Sequence, residues 1–245
     1  MVYEELIEVL LKAERVVALT GAGISAESGI PTFRGAGGLW EGYPVEEVAT
    51  PEGFERNPAL VWRFYNERRI NIAKAEPNEA HKVLANLENL YDMWVITQNI
   101  DGLHIKAGSK NVIELHGNIW RTRCTECGRV SYNYEVPLSE IPPKCEKCGG
   151  LLRPDVVWFG EPVYGVDKAY NLSQCCDVMF VIGTSAQVYP AAYLPRLAWS
   201  KGAKIVEINI EETPVSRYAD FVIRKKATNA MSQIYQALLE AFQKE

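Results

Sequence analysis

Arg15-Val16-Val17-Ala18-Leu19-Thr20-Gly21-Ala22-Gly23-Ile24-Ser25-Ala26 is the stretch that decides the fold class. Its first six residues read as a short apolar strand. The strand runs straight into Gly21-x-Gly23-x-x-Ala26, a phosphate-binding fingerprint in its G/A form. Gly21 permits a tight turn, Gly23 would let backbone approach a pyrophosphate, and Ala26 is small enough for close helix–strand packing. Alone the pattern is weak, because a glycine-rich turn after a first strand can be purely structural. Its surroundings give it weight. Tyr3 to Ala13 reads as an amphipathic helix with Leu6, Val9 and Leu10 on one face. Downstream, strands are expected at Met93–Thr97, Val112–Leu115, Val178–Ile182 and Lys204–Ile208. Helices are expected at Asn57–Ala75, from Pro77-Asn78 to about Glu88, near Asp167–Leu172, and at Tyr189–Ser200 and Asn229–Phe242. Asn57 is the N-cap of its helix, with Pro58 at the first helical position. Gly29 to Trp40, with four glycines and a proline, reads as a long loop. Strands alternating with helices give an α/β fold with a mainly parallel sheet.

A chain of 245 residues can bury roughly 70–75% of the surface it exposes when unfolded, enough for a self-sufficient core. Apolar residues at 47% and charged residues at 23% exclude a disordered chain. A net charge of −5 argues against a general nucleic-acid or anionic-membrane binder. The opening Met1-Val2-Tyr3-Glu4-Glu5 is acidic where a secretory signal is basic. The longest uncharged run, Val178 to Pro195, carries too many polar residues and prolines for a membrane span. A soluble, cytoplasmic protein is therefore expected.

Four of the six cysteines form two pairs, Cys124-x-x-Cys127 and Cys145-x-x-Cys148, separated by seventeen residues. Two such turns at this distance match a zinc ribbon; two disulfides are the alternative, which nothing secretory in the chain supports. Four thiolates fill a tetrahedral coordination sphere, so the metal would be structural. Arg121, Arg123, Arg129, Lys144, Lys147 and Arg153 are near enough in sequence to offset a site charge of −2, which follows from four thiolates on one dication. Cys175-Cys176 read as core residues.

The polar candidates gather at strand ends. Gly183-Thr184-Ser185 follows one apolar strand and Asn209-Ile210-Glu211 the next, at the carboxyl edge where open α/β sheets bind ligands. Asn209 and Glu211 could bond ribose hydroxyls. The acidic residue that a dehydrogenase carries about 20 positions after the glycines has no clean strand to sit on, since Glu41–Glu47 is loop-like. Of three histidines, His81 is expected on a helix and partly exposed, and His104 lies in a loop and could be structural or functional. His116 ends a strand beside Thr97-Gln98-Asn99-Ile100-Asp101, where an imidazole with an ordinary pKa near ~6.5 can accept a proton. Asn99 and Asp101 offer an amide and a carboxylate to hold a water or a sugar.

Taken in order, Gly21-Ala22-Gly23-Ile24-Ser25, Gly29-Ile30-Pro31-Thr32-Phe33-Arg34, Thr97-Gln98-Asn99-Ile100-Asp101, His116-Gly117, the two cysteine turns and Val157-Trp158-Phe159-Gly160-Glu161 resemble the sirtuins, NAD-dependent protein-lysine deacylases. The resemblance covers almost the whole chain. It implies a Rossmann-type parallel-sheet large domain (1–35, 76–118 and 156–245) and a small domain made of a helical module with the cofactor loop (36–75) and the zinc ribbon (119–155). It implies NAD as co-substrate, one structural Zn²⁺, and acyl-lysine proteins or peptides as partners, with a monomer expected. By the same resemblance the NAD-binding residues are Gly21, Ala22, Gly23, Ser25, Thr32, Phe33, Arg34, Trp40, Gln98, Asn99, Ile100, Asp101, Gly183, Thr184, Ser185, Asn209, Ile210, Glu211 and Ala227. His116 would be the proton acceptor, aided by Asn99 and Asp101. Val157, Phe159 and Gly160 would pair with the substrate backbone as an added strand. The products would be nicotinamide, free lysine and O-acyl-ADP-ribose. Transfer of ADP-ribose to protein, which shares the first bond cleavage, is the alternative activity.

Tyr65 and Arg68 are three apart on the expected helix and so project from one face. Helical spacing alone fits a packed tyrosine beside a solvated arginine. The Tyr-x-x-Arg pair preceded by Ala49-Thr50-Pro51 resembles the sirtuin class that removes succinyl and malonyl groups. In that class the small alanine leaves room for a longer acid chain, and the phenol and guanidinium bind its carboxylate.

Overall fold

The computed structural model describes residues 2–32, 39–40 and 42–244, with backbone alone at 2, 39 and 40. The strands are β1 (Arg15–Thr20), β2 (Leu39–Trp40), β3 (Tyr43–Pro44), β4 (Asp92–Thr97), β5 (Val112–Glu114), β6 (Gly117–Cys124), β7 (Val130–Tyr132), β8 (Leu152–Val156), β9 (Val178–Ile182), β10 (Lys204–Ile208) and β11 (Phe221–Ile223). The helices are α1 (Val2–Leu11), α2 (Val45–Val48), α3 (Pro51–Arg56), α4 (Pro58–Ala73), α5 (Glu79–Leu87), α6 (Leu103–Lys106), α7 (Val166–Cys175), α8 (Leu194–Ser200) and α9 (Ala227–Phe242).

Six strands form one sheet in the order β11-β10-β9-β1-β4-β5, and every pairing in it is parallel. Val16 to Thr20 of β1 are all buried, as a parallel strand covered on both faces requires. Side chains alternate between the two covers. Val16, Ala18, Met93, Val95, Phe180 and Val206 pack with α1, α5 and α9 in one cluster. Val17, Leu19, Ile96, Met179, Val181 and Ile205 pack in a second cluster with Ala169 of α7 and Ala198 of α8. From β1 the chain moves to β4 and β5 on one side, then returns to β9, β10 and β11 on the other. The carboxyl ends of β1 and β9 therefore flank the switch point where such sheets leave a crevice.

A third cluster joins α3 and α4 to the antiparallel sheet β7-β6-β8. Trp62 donates its indole N–H to the Leu152 carbonyl at 2.7 Å. Buried Arg69 reaches from α4 to the carbonyls of Ile119, Asn133 and Glu135 at 3.0, 2.6 and 3.0 Å. Asn57 caps α4 by accepting from the Leu60 N–H at 3.1 Å, with Pro58 in its first turn.

The four cysteine sulfurs of the ribbon lie within 4.8 Å of one another. Zn–S bonds near 2.3 Å put tetrahedral sulfurs about 3.8 Å apart, so the cluster fits a structural zinc site. The Cys127 and Gly150 N–H groups point at the sulfurs of Cys124 and Cys148 at 3.5 and 3.4 Å, which suits thiolates. No disulfide joins these cysteines. Half of the expected charge compensation is spent elsewhere. Arg121 and Arg123 pair with Asp155, Arg121 also with Glu114, and Arg153 with Glu161. Exposed Arg129, Lys144 and Lys147 remain nearby in sequence.

Several expectations need correction. Ala26 is exposed, because residues 22–28 wind as a 3₁₀ turn that lifts it off the sheet. His81 is buried rather than partly exposed, because the first turn of α5 faces Ser25. Cys175 is exposed at the end of α7 while Cys176 is buried. The helix expected from Tyr189 begins as α8 at Leu194, since Pro195 sits in its first turn; a short 3₁₀ turn precedes it. The last helix starts at Ala227, two residues early. Among the described residues no helix is long and apolar enough to cross a membrane.

Removing the zinc by a strong chelator at neutral pH should lower the thermal midpoint and expose the third cluster, which contains Cys124 and Cys145. Cys124→Ser should do the same without chelator. Metal analysis that finds no zinc on the native protein would defeat the assignment.

Candidate active site

The end of β1 meets the end of β9 without side chains between them. The Gly21 N–H donates to the Ile182 carbonyl at 3.0 Å and the Gly23 N–H to the Gly183 carbonyl at 2.8 Å. A Cβ on Gly23 would fall 2.6 Å from the Gly183 Cα, and one on Gly21 2.7 Å from the Thr184 Cβ. The chain's own packing thus demands both glycines, and the Gly23 N–H is already spent on protein.

Above this junction opens a cleft of about 980 Å³. It brings together Gly21, Ala22, Gly23, Ser25 and Thr32 from the first turn, Gln98, Asn99, Ile100 and Asp101 from the end of β4, and His116. Gly183, Thr184, Ser185, Asn209, Ile210 and Glu211 join them from β9 and β10, with Ala227 from the start of α9. Ala49, Tyr65, Arg68, Val157, Phe159 and Gly160 line the same cleft. Phe33 and Arg34 lie outside the described residues, and of Trp40 only the backbone is described, in β2.

Polar contacts fix many of these side chains. Gln98 donates to the Thr184 hydroxyl at 2.9 Å and Asn99 donates to the Gly21 carbonyl at 2.9 Å, so the two amides tie the end of β4 to those of β9 and β1. Asn209 donates to the Thr184 carbonyl at 2.9 Å and accepts from the Glu211 N–H at 3.1 Å. His116 Nδ1 lies 3.0 Å from the Gln98 carbonyl oxygen. A carbonyl only accepts, so Nδ1 carries the proton and Nε2 carries the lone pair. The imidazole is thereby set up as a base on its Nε2 side.

Behind these groups runs a buried polar chain. The Asn78 N–H donates to His81 Nδ1 at 3.1 Å, which places the His81 proton on Nε2, 3.3 Å from the Ser25 hydroxyl. Ser25 in turn donates to Asp101 at 2.7 Å, and the Leu103 N–H donates to the other Asp101 oxygen at 2.9 Å. Burial raises the Asp101 carboxyl above its ordinary range, against the pull of those two bonds. His104 sits beside His81 at 5.0 Å between rings, with Nε2 2.8 Å from the Thr20 hydroxyl. Burial pushes His81 down to about 4 and His104 well below its usual value. The loop position of His104 resolves into the short helix α6, where its imidazole is enclosed.

Three features escaped the sequence reading. Glu27 reaches across to the start of α9 and accepts from the Thr228 N–H and hydroxyl at 3.2 and 2.6 Å. Glu207, buried in the otherwise apolar β10, binds Thr213, Ser216 and Arg224 and so shapes the 209–216 wall of the cleft. A lone acid inside an apolar strand was the available signal, since a buried carboxylate needs partners. Third, the N–H groups of Val157, Trp158 and Phe159 are all used within the chain, by His116, Glu161 and Ala49. A peptide strand added there would have to use other main-chain groups.

Comparison with known proteins decides the family. The Sir2 family profile matches residues 21–190. The chain belongs to the Sir2 family. It is 57% identical over 230 residues to an NAD-dependent protein deacylase of Aquifex aeolicus, covering 93% of this chain and 96% of that protein. It is 53% identical over 230 residues to NAD-dependent protein deacylase 2 of Pyrobaculum aerophilum, covering 93% and 92%. Among solved Sir2 structures, a Sir2 homologue–NAD complex superposes with a TM-score of 0.91 at 46% identity, covering 97% of this chain and 94% of the other. A Sir2 variant bound to a deacetylated peptide and 3′-O-acetyl ADP-ribose superposes at 0.87 with 37% identity, covering 97% and 98%. The parallel sheet, the separate antiparallel sheet and the cysteine cluster belong together as one Sir2 architecture.

The buried imidazoles should make this Sir2 fold acid-sensitive. In the unfolded chain His81 titrates near 6.5; in the folded chain it stays neutral until about pH 4. The unfolded state therefore binds more protons between these values, and stability is lost as pH falls through that window. The urea midpoint should drop between pH 6.5 and 5.5, above the ordinary carboxylate range. The drop should shrink in His81→Asn; a drop as large in that variant as in the wild type would contradict a neutral, buried His81.

Proposed function

We propose that this chain, an NAD-dependent protein deacylase, removes acidic acyl groups such as succinyl and malonyl from lysine as well as acetyl. The observation that carries the reading is the joint presence of Tyr65, Arg68 and Ala49 on the wall of the cleft that holds His116. Tyr65 is buried, and burial raises its pKa, so it remains a hydrogen-bond donor at neutral pH. Arg68 has its guanidinium carbon 6.0 Å from the Tyr65 ring centroid, so both donors can converge on one carboxylate. A carboxylate held there gains two charge-assisted bonds that an acetyl group cannot make.

The dinucleotide fits the other half of the cleft. Gly21, Ala22, Ser25 and Thr32 would line its phosphates, and Gln98, Asn99 and Asp101 its nicotinamide-side ribose. Asn209, Glu211 and Ala227 would face the adenosine end. NAD supplies a leaving nicotinamide and a ribose that takes up the acyl group. His116 would accept a proton at Nε2 from a ribose hydroxyl, since Nδ1 is committed to the Gln98 carbonyl. Asn99, held by Gly21, and Asp101, held by Ser25 and Leu103, would keep the sugar in place. In this reading the parallel sheet carries the dinucleotide, while residues 36–75 and 119–155 supply the acyl wall and its zinc support.

Two outcomes test the reading. His116→Ala should abolish turnover of acetyl- and succinyl-lysine peptides while NAD still binds, followed by mass spectrometry and calorimetry. Full activity would remove the proposed base. Losing a charge-assisted hydrogen bond costs about 1.5–3 kcal/mol. Arg68→Met should therefore lower desuccinylation at least about tenfold relative to deacetylation. Equal loss on both substrates would refute the acidic-acyl assignment.

A further inference from the structure

Trp158 lines the same cleft as Tyr65, is 3% exposed, and donates its indole N–H to the Tyr65 hydroxyl at 2.9 Å. An indole N–H can only donate; a phenol has one proton and two lone pairs. The bond therefore occupies a phenolic lone pair and leaves the phenolic proton unspent. Among the described residues that proton has no acceptor within hydrogen-bonding distance, although Tyr65 itself is 1% exposed. A buried donor without an acceptor is costly in a finished fold, and it suggests an acceptor brought by a ligand.

Trp158 is in turn held on several sides. The Arg153 guanidinium lies 3.7 Å from its ring centroid, and Phe54 packs at 5.3 Å. Both Glu161 oxygens hold that guanidinium, at 2.6 and 2.9 Å, and one of them also accepts the Trp158 backbone N–H at 2.9 Å. The Phe159 N–H donates to the Ala49 carbonyl at 3.0 Å, which ties this segment to the alanine of the acyl wall. A continuous set of contacts thus runs from Glu161 through Arg153 and the indole to one phenol.

We infer that Trp158 is a positioning residue for acyl specificity. By occupying one lone pair of Tyr65 it keeps the phenolic proton off that side and leaves it for the far carboxylate of an acidic acyl chain bound in the cleft. The inference rests on the acidic-acyl reading above. A phenylalanine at this position would keep an aromatic ring against Arg153 and Phe54, yet it would leave the phenol free to rotate its proton away.

The test uses the purified protein, NAD, and paired succinyl- and acetyl-lysine peptides of one sequence, read as the ratio of the two kcat/KM values. Trp158→Phe should lower the succinyl-to-acetyl ratio about fivefold, the size of one lost neutral hydrogen bond. Added to Tyr65→Phe, which has no hydroxyl to orient, Trp158→Phe should change the ratio by less than about twofold. An unchanged ratio in the single variant, or a second full fivefold fall in the double variant, would overturn the inference. If Trp158→Phe does not fold, Arg153→Leu loosens the same indole and should lower the ratio in the same direction. An unchanged ratio there would count equally against it. Arg68→Met separates the two levels. If it leaves the ratio unmoved, the acidic-acyl reading itself fails. If it lowers the ratio while Trp158→Phe does not, only the role of Trp158 is lost.

Discussion

The contact of Gly23 with Gly183 is the constraint on which the site depends. Two strands that are neighbours in the sheet, yet far apart in sequence, end against each other with no Cβ between them. The N–H of one turn bonds the carbonyl of the other, so the mouths of β1 and β9 keep a fixed spacing. Every later element takes its place from that junction. Gln98 and Asn99 are tied to Thr184 and Gly21, His116 is tied to Gln98, and Asn209 is tied back to Thr184. The described strand ends of the cleft are thus laced together by amide side chains.

Polarity is handled in two ways on the two sides of this cleft. Around Asp101 the buried groups form a relay of neutral donors and acceptors from Asn78 through His81 and Ser25, which lets a carboxyl sit in an apolar setting. Around Asp155 and Glu161 the chain uses ion pairs with Arg121, Arg123 and Arg153, shielded but not fully enclosed. These arginines stand next to the zinc ribbon in sequence, yet they serve carboxylates that hold the antiparallel sheet and the Trp158 segment in place. Proximity in sequence to a charged site did not determine which charge they answer.

Much of the fold was legible because strand burial leaves a clear trace. Val178–Ile182 and Lys204–Ile208 are apolar runs bounded by glycine or polar turns, and they appear as β9 and β10 with the expected ends. Asn57-Pro58 marks a helix start by capping chemistry alone. The less legible parts are short or sparsely apolar. β11 has three residues, α6 has four, and neither is long enough to repeat its period twice. The site's residues were recognisable as motifs, but their tethering was not, since a bond such as Glu27 to Thr228 spans 201 positions. His81 misled because its helix is amphipathic, and the histidine falls on the buried end of the apolar face where Ser25 can meet it.

Arg69 carries one more consequence. Its guanidinium leaves α4 and gathers carbonyl oxygens from both β6 and the segment after β7. Sliding the helix along that sheet would strand an ion in an apolar interior, at a cost of several kcal/mol. Any relative displacement of α4 and the antiparallel sheet would have to break these bonds, so the two layers should move together when the cleft widens or narrows.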